Sequence, residues 1–235
     1  MSNYRLTDEQ RSLKEAARRF AENKLRPIAL ETERKGGAMP REALKLMAEN
    51  GYVGLDIPTE YGGLGLDIMG CAVVLEELSS VWFSASTNAM SLLTGPLLVF
   101  GTDEQKQNYL PAISSGNLLT AFALTETDAG SDASSIQTFA ARDGDDWVIN
   151  GRKIYITNGA RADLIVLFAR TDRDAPRGEG ITLFLIEKGT PGFSVGQKYD
   201  MLAHTANPVA ELVFDDCRVP NSCILGEPGG GFRYM

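Results

Sequence analysis

The hydrophobic pattern of the chain changes its period near residue 118. Before that point, apolar residues recur at helical spacing, and the first such face is formed by Leu13, Ala16, Ala17, Phe20 and Ala21. After that point, short runs rich in β-branched and aromatic residues, such as 164–170 and 181–187, are separated by glycine, proline and aspartate turns. A helical block followed by a block of strands predicts an α+β fold in which helices and strands are segregated. We expect an all-helical domain over 1–117 and an antiparallel β-barrel or sandwich over 118–225.

One segment of the β block predicts a hairpin. In 146-DWVINGRKIYIT-157, two β-rich runs flank Asn150-Gly151, a pair typical of a type I′ turn because both central residues need positive φ. Tyr155 and Thr157 are two residues apart, so they should point to the same face of a strand. An aromatic plane beside a hydroxyl suits a flat ligand that forms hydrogen bonds. An ordinary strand face packed on another element is the alternative.

Charge and hydropathy exclude several classes of protein. The formal net charge is −8, whereas nucleic-acid binding depends on concentrated Lys and Arg. No window of about 18 uninterrupted apolar residues occurs, so no membrane span is expected. The start, MSNYRLTDEQ, lacks the apolar core of a secretory signal. Cys71, Cys217 and Cys223 form no CxxC pair and are interpreted as reduced thiols of a cytoplasmic protein.

Two common kinds of catalytic centre are also disfavoured. His204 is the only histidine, which argues against a multi-histidine metal site or a Ser-His-Asp triad, and no metal site is predicted. A lone histidine of this kind is most often a loop or surface residue. No GxGxxG or Walker loop occurs to bind a nucleotide.

The stretch 123-ALTETDAGSD-132 combines carboxylates with residues that bind anions. Thr125 and Ser131 offer hydroxyl groups, and Gly130 lets a ligand approach the backbone closely because it lacks Cβ. The acidic side chains would repel a phosphate in contact, but they can accept backbone N–H groups and so hold the loop. A plain acidic turn between strands is the alternative when this stretch is taken alone.

Taken together, these motifs resemble the acyl-CoA dehydrogenase family. The resemblance rests on ALTE-x-x-AGSD followed by GD-x-W-V-I-NG-x-K-x-Y-I-TNG, and it extends over essentially the whole chain. Three further segments take part in it: 51-GYVGLDIPTEYGGLG-65, 101-GTDEQKQNYLP-111 and 211-ELVFDDCRVP-220.

The resemblance implies FAD as cofactor, bound between the β-domain and a C-terminal helical bundle. The positions that match the family's flavin contacts are Phe122, Leu124, Thr125, Gly130, Ser131, Tyr155, Ile156 and Thr157. Ser131 also matches the residue near the pantetheine arm of the substrate. Tyr155 stands where tryptophan is commoner, which makes the aromatic cover of the flavin smaller.

The implied reaction is α,β-desaturation of an acyl-CoA thioester, with electrons passing to an electron-transfer flavoprotein. Glu126 matches a loop position and is not expected to be the catalytic base. A helix over about 84–98 matches the acyl pocket, which makes Ser84, Asn88 and Leu92 candidate substrate residues on one face. Packing positions are the alternative for these three. Because two of the three candidates, Ser84 and Asn88, are polar, we expect the acyl group of the substrate to be short, branched or functionalised.

Two departures from the family pattern limit what can be carried over. The chain has 203-AHTAN-207 where the family often has G-x-R-x-S, which puts CoA or inter-domain contacts in this loop in doubt and draws attention to His204. Residues 226–235 match only the start of the C-terminal helical domain. No catalytic residue is therefore predicted in this chain, which we interpret as C-terminally truncated and inactive alone.

Three functional hypotheses remain open. The first is an acyl-CoA dehydrogenase, a homotetramer or homodimer when complete. The second is a non-catalytic flavin or acyl-CoA binding module, or a subunit completed by a separate C-terminal chain. The third is an acyl-CoA oxidase or another flavoenzyme of the same superfamily.

Overall fold

The computed structural model describes residues 5–234 and divides into two compact units. The helical unit comprises the chain up to Ser91 together with Tyr109–Asn117 and Ala203–Asn207. The β unit comprises Leu92–Asn108, Leu118–Leu202 and the chain from Pro208 onward. The predicted α+β fold class is confirmed. The domain boundaries at 117 and 225 stay predictions, and residues 1–4 and 235, which the predicted domains include, lie outside the described residues.

Seven α-helices form in the described part of the chain. They are α1 (Asp8–Phe20), α2 (Arg26–Lys35), α3 (Arg41–Glu49), α4 (Ile68–Val81), α5 (Phe83–Ala89), α6 (Thr94–Phe100) and α7 (Asp103–Ser114). A capping box starts α1, because Thr7 accepts from the Gln10 N–H and the Gln10 side chain accepts from the Thr7 N–H. None of the helices in residues 5–234 is long and apolar enough to cross a membrane.

The single helix predicted over about 84–98 is wrong, because α5 and α6 are separate. Pro96 has no N–H to donate to the carbonyl of Leu92, so a continuous helix would leave that carbonyl unsatisfied. At the end of α5, the Ala89 carbonyl instead accepts a hydrogen bond from the Gly54 N–H at 2.8 Å.

An ion-pair cluster holds α1 against α4 in the helical unit. Glu77 is buried, and its two oxygens accept Nε and Nη2 of Arg18, each at 2.8 Å. Lys14 contacts the same carboxylate at 3.5 Å and donates to Glu76 at 2.6 Å. The hydrogen bonds from Arg18 lower the pKa of Glu77, which keeps this buried carboxylate ionised.

Eight strands form one sheet in the β unit. They are β1 (Thr120–Ala123), β2 (Phe139–Asp143), β3 (Asp146–Thr157), β4 (Leu164–Arg170), β5 (Ile181–Glu187), β6 (Phe193–Lys198), β7 (Val209–Pro220) and β8 (Ile224–Leu225). Their order is β6-β7-β3-β2-β4-β5-β8, and β1 pairs in parallel with β4. The other ladders are antiparallel, apart from one parallel register pair between β2 and β4. The central strands β4 and β5 are buried along nearly their whole length, which explains their uninterrupted apolar sequences.

The predicted turn at Asn150-Gly151 is wrong, because β3 runs through both residues. The hairpin turn lies earlier, between Asp143 and Asp146, with Gly144 at φ 65°. At Asn150 the pairing of β3 with β7 shifts register, and this bulge is stabilised by two hydrogen bonds between Asn150 and Asp216 of 3.0 and 2.8 Å. The Asn-Gly pair therefore serves a bulge within a long ladder.

Close approach of a neighbouring segment requires a glycine at 151. A Cβ added there would lie 2.5 Å from Thr138 Oγ1 and 2.7 Å from Thr138 Cα. We expect Gly151→Ala to lower the free energy of unfolding by about 3 kcal/mol, because the backbone of Thr138 cannot rotate away as a side chain could. Urea unfolding followed by circular dichroism measures this loss.

Gly144→Ala is the matched control, since Gly144 also has a positive φ but an added Cβ meets no atom within 4 Å. It should cost only about 1 kcal/mol, the strain of the left-handed conformation. Equal losses in the two variants would show that the contact with Thr138 does not constrain position 151.

Candidate functional site

The loop after β1 is a tight turn held by its own backbone. Glu126 and Ala129 exchange both of their backbone hydrogen bonds, at 3.0 and 3.2 Å. Both residues are buried, whereas Gly130 and Ser131, which follow them, are exposed. The turn therefore presents its Gly-Ser end to the surface. A Cβ added at Gly130 would meet no atom within 4 Å, so the packing of this chain does not require a glycine there.

A buried ion pair lies beneath this loop. Lys153 of β3 is fully buried, and its Nζ donates to Glu126 Oε1 at 2.6 Å and to the Leu124 carbonyl at 3.0 Å. Glu126 also accepts the backbone N–H groups of Gln137 at 2.5 Å and Thr138 at 3.0 Å. This single pair therefore links β3, the loop and the segment that leads into β2.

The two charges shift each other's proton affinity. Burial lowers the pKa of Lys153 to about 8, although the charge of Glu126 opposes the shift. Burial alone would raise the pKa of Glu126, but Lys153 and the hydrogen bonds it accepts hold it below its ordinary value. An ionised carboxylate that already accepts three hydrogen bonds is suited to holding a loop, and it has little capacity left to remove a proton from a ligand.

The other acidic residues of the loop differ in environment. Asp132 accepts hydrogen bonds from Ser134 and Ser135 and pairs with Arg177 at 2.7 Å. The Arg177 hydrogen bond, together with those from the two serines, lowers the pKa of Asp132 far below its ordinary value. Asp128 is exposed. Glu126 and Asp132 thus brace the loop, as the sequence analysis suggested for its acids.

The strand next to the loop exposes an aromatic ring and a hydroxyl group. Tyr155 and Thr157 are both exposed, and Ile156 between them is buried in the β core. Tyr155 has φ 56°, within a register shift of β3 against β7, and its ring lies 4.8 Å from that of Tyr199. Such a left-handed backbone at a bulky residue is uncommon and occurs often at functional sites.

The structure brings the loop and this strand together. The Ile154 N–H donates to the Thr125 carbonyl at 2.9 Å, next to the bond from Lys153 to the Leu124 carbonyl. Leu124 and Thr125 are half-buried beside the strand. Phe122 lies within β1, where its ring packs 4.8 Å from the ring of Phe168. The eight predicted flavin positions therefore lie on two adjoining segments of the β unit, with Phe122 half-buried against Phe168 and Ile156 buried.

The three predicted substrate positions are not on one helix face. Ser84 and Asn88 are buried in α5 of the helical unit. Leu92 is 71% exposed, lies between α5 and α6, and belongs to the β unit. The Asn88 amide donates to the Ser84 carbonyl at 2.6 Å and to Asn207 Oδ1 at 2.8 Å.

The loop 203–207, which was compared above with the pattern G-x-R-x-S, packs within the helical unit. His204 has φ 60°, and its ring lies 4.2 Å from that of Phe83. The Ala206 carbonyl accepts the Met39 N–H at 2.8 Å, and Thr205 donates to Glu33 at 3.4 Å. Asn207, the last residue of this loop, is thus one of the partners of Asn88.

Sequence reasoning missed Lys153, although a signal was present. Side chains alternate between the two faces of β3, and one face carries three buried residues, Trp147, Ile149 and Lys153. A charged residue at a core-facing position of a strand indicates a buried partner. The distant Asn88–Asn207 contact has no comparable signal in the sequence.

The cysteines and acids form no further site. Cys71, Cys217 and Cys223 are free thiols, and burial raises the pKa of Cys217 to about 11, so it stays protonated and unreactive at neutral pH. Within residues 5–234, no group of three His, Cys, Asp or Glu side chains could hold a metal ion.

Comparison with known proteins identifies the family. Residues 7–117 match the family model described as acyl-CoA dehydrogenase, N-terminal domain, and residues 121–217 match the middle domain. The short-chain specific acyl-CoA dehydrogenase from mitochondria of Homo sapiens is 42% identical over 233 residues, covering 97% of this chain and 56% of that protein.

Solved structures agree in fold. Butyryl-CoA dehydrogenase from Megasphaera elsdenii superposes with a TM-score of 0.91 at 37% identity, covering 99% of this chain and 62% of that one. A structure described as the FAD complex of PigA has a TM-score of 0.92 at 32% identity, with the same coverage. The chain thus spans about 56–62% of the length of these relatives. With both of its domains matched in order, the chain belongs to the acyl-CoA dehydrogenase family.

Proposed function

We propose that this chain forms the FAD-contacting β-domain and the N-terminal domain of an acyl-CoA dehydrogenase that desaturates an acyl-CoA thioester between Cα and Cβ. The observation that carries the proposal is the junction of the 124–131 loop with Tyr155–Thr157. Two hydrogen bonds to consecutive loop carbonyls, from Lys153 Nζ and the Ile154 N–H, hold this junction. The junction presents a glycine backbone, an aromatic ring and hydroxyl groups on exposed positions.

The residues at this junction fit a flavin nucleotide. Gly130 is exposed, and a Cβ added there would meet no atom of this chain. The fold itself therefore does not require glycine at this position, whereas the close approach of a ligand to the backbone would. The exposed Tyr155 ring offers a surface for stacking. Thr125, Ser131 and Thr157 supply hydroxyl groups for polar edges and phosphates. When bound, FAD supplies the acceptor for the hydride that leaves Cβ of the substrate.

The residues of this chain would bind and orient the reactants. We assign Thr125 and Thr157 to the polar edge of the flavin ring, and Ser131 to the pyrophosphate and the pantetheine arm. The side chain of Phe122 is half-buried against Phe168 and that of Ile156 is buried, so Ile156 would contribute its backbone, and Leu124 its position at the start of the loop. In the described chain we assign no base for the α-proton, because the buried carboxylate of the loop, Glu126, is fully engaged.

The proposal extends to partners. A segment outside this chain would supply the base, an electron-transfer flavoprotein would accept the electrons, and the complete enzyme would be a homo-oligomer.

Comparing two proteins tests the function. The longest natural protein that contains this chain should be yellow and should reduce a dye acceptor with butyryl-, octanoyl- or palmitoyl-CoA. The 235-residue chain alone should show no turnover with any of them. A complete protein without acyl-CoA-dependent dye reduction would contradict the dehydrogenase. Turnover by the 235-residue chain would contradict the assignment of the base to another segment.

A glycine substitution tests the cofactor site separately. Gly130→Ala should leave the melting temperature of the cofactor-free protein within about 2 °C, because the new methyl group meets no protein atom. It should raise the Kd for FAD about tenfold or more, since the methyl group would occupy space needed by the ligand. Titration with FAD and thermal unfolding measure the two effects.

Gly95→Ala is the control for this experiment, because an added Cβ at Gly95 also meets nothing within 4 Å, and Gly95 lies in α6. Its Kd for FAD should equal that of the parent protein. If Gly130→Ala bound FAD equally well, Gly130 would have to be removed from the proposed site.

The role of Asn88 in substrate choice can be separated from its role in packing. In the complete enzyme, Asn88→Leu should lower the kcat/KM ratio of octanoyl- to butyryl-CoA about tenfold, because leucine is larger and would shorten an acyl pocket. Asn207→Ser is the control, since it removes the partner of the Asn88 amide without changing α5. It should lower stability while keeping the chain-length profile. Identical profiles in the two variants would exclude Asn88 from the pocket.

A further inference from the structure

We propose that Lys153 is a positioning residue that fixes the direction of the Thr125 backbone N–H, at the start of the 124–131 loop, for the flavin. This inference rests on the proposed function for its ligand. The geometry that supports it lies entirely within the described part of the β unit.

Lys153 occupies a position that an apolar residue would ordinarily take. Lys153 is fully buried on the core-facing side of β3, in line with Trp147 and Ile149. A buried ion pair is weak evidence for stability, because apolar residues of similar size often serve the fold equally well. The lysine at this position is therefore better explained by what its ammonium group holds than by a contribution to folding.

The ammonium group of Lys153 holds one peptide of the loop. Lys153 Nζ donates to the Leu124 carbonyl at 3.0 Å, and the next residue of β3, Ile154, donates its N–H to the Thr125 carbonyl at 2.9 Å. In a planar trans peptide the N–H points opposite to the C=O. The N–H of Thr125 is consequently directed away from Lys153. The N–H of Glu126 is directed away from Ile154 and donates to the Ala129 carbonyl within the turn.

Glu126, the partner of Lys153, also accepts the N–H groups of Gln137 and Thr138, one on each carboxylate oxygen. The carboxylate therefore links residues 137 and 138 to β3, while the ammonium group links Leu124 to β3. A glutamine at 126 keeps an acceptor oxygen for one of the two N–H groups and removes the negative charge. Replacing both charged residues therefore removes the donor to Leu124 while part of the link to residues 137 and 138 remains.

The test uses the complete protein that contains this chain, with FAD removed. Lys153→Met alone leaves a buried, uncompensated carboxylate and should lower the melting temperature strongly. The double variant Glu126→Gln/Lys153→Met removes both charges and keeps an acceptor oxygen for one of the Gln137 and Thr138 N–H groups, so its melting temperature should lie well above that of Lys153→Met. It still lacks the donor to the Leu124 carbonyl.

Three measurements on the double variant decide the inference. Amide hydrogen exchange of residues 124–131 without FAD should be about tenfold faster or more than in the parent, because the carbonyl that orients the loop has lost its donor. The Kd for FAD should rise about tenfold or more. The melting temperature should lie well above that of Lys153→Met. Arg152→Met is the control: Arg152 neighbours Lys153 on β3, but its side chain is 67% exposed and pairs with Glu211, so all three measurements should stay at parent values.

Each other outcome has a defined consequence. Parent-like exchange in the double variant, or faster exchange with an unchanged Kd for FAD, would overturn the positioning role while leaving the flavoenzyme proposal intact. A parent protein that binds no FAD would contradict the proposed function. The exchange measurement alone would then decide whether Lys153 orients the loop.

Discussion

The contact between the Lys153 ammonium group and the Glu126 carboxylate joins the three segments on which the candidate site is built. A charge transferred into a protein interior is strongly unfavourable unless it is paired and hydrogen-bonded. Lys153 meets this condition with a carboxylate and a carbonyl, and Glu126 meets it with two backbone N–H groups. Because neither charge can leave its partners without large cost, the loop after β1, the approach to β2 and the middle of β3 are constrained together.

This constraint explains how an acidic loop can border a site proposed for a phosphate-containing ligand. Glu126 is turned inward to Lys153, and Asp132 is covered by Arg177 and two serines. Both carboxylates are thus neutralised by partners of their own chain before any ligand is present. Of the exposed positions between them, Gly130 and Ser131 carry no charge, and the exposed Asp128 lies on the other side of the buried Ala129.

In the helical unit, the 203–207 loop contacts α5 at two positions. Asn207 accepts from the amide of Asn88, and His204 packs on Phe83. The same Asn88 amide donates to the Ser84 carbonyl, so the two positions of α5 that the sequence suggests for substrate contact are hydrogen-bonded within this unit. Any acyl pocket in this unit would be shaped by the 203–207 loop as well as by α5.

The sequence alone determined the succession of helices and strands, the capping box at Thr7 and the family, because these depend on short-range periodicity and on ordered motifs. It did not determine the role of Asn150-Gly151, since the same pair suits a turn or a bulge and only the long pairing of β3 with β7 selects the bulge. The break between α5 and α6 did have a local signal in the sequence, Pro96, which the prediction of a single helix left out. The partners of Lys153 and Asn88 were decided by tertiary structure, because 27 and 119 residues separate the members of each pair, and only folding brings them into contact.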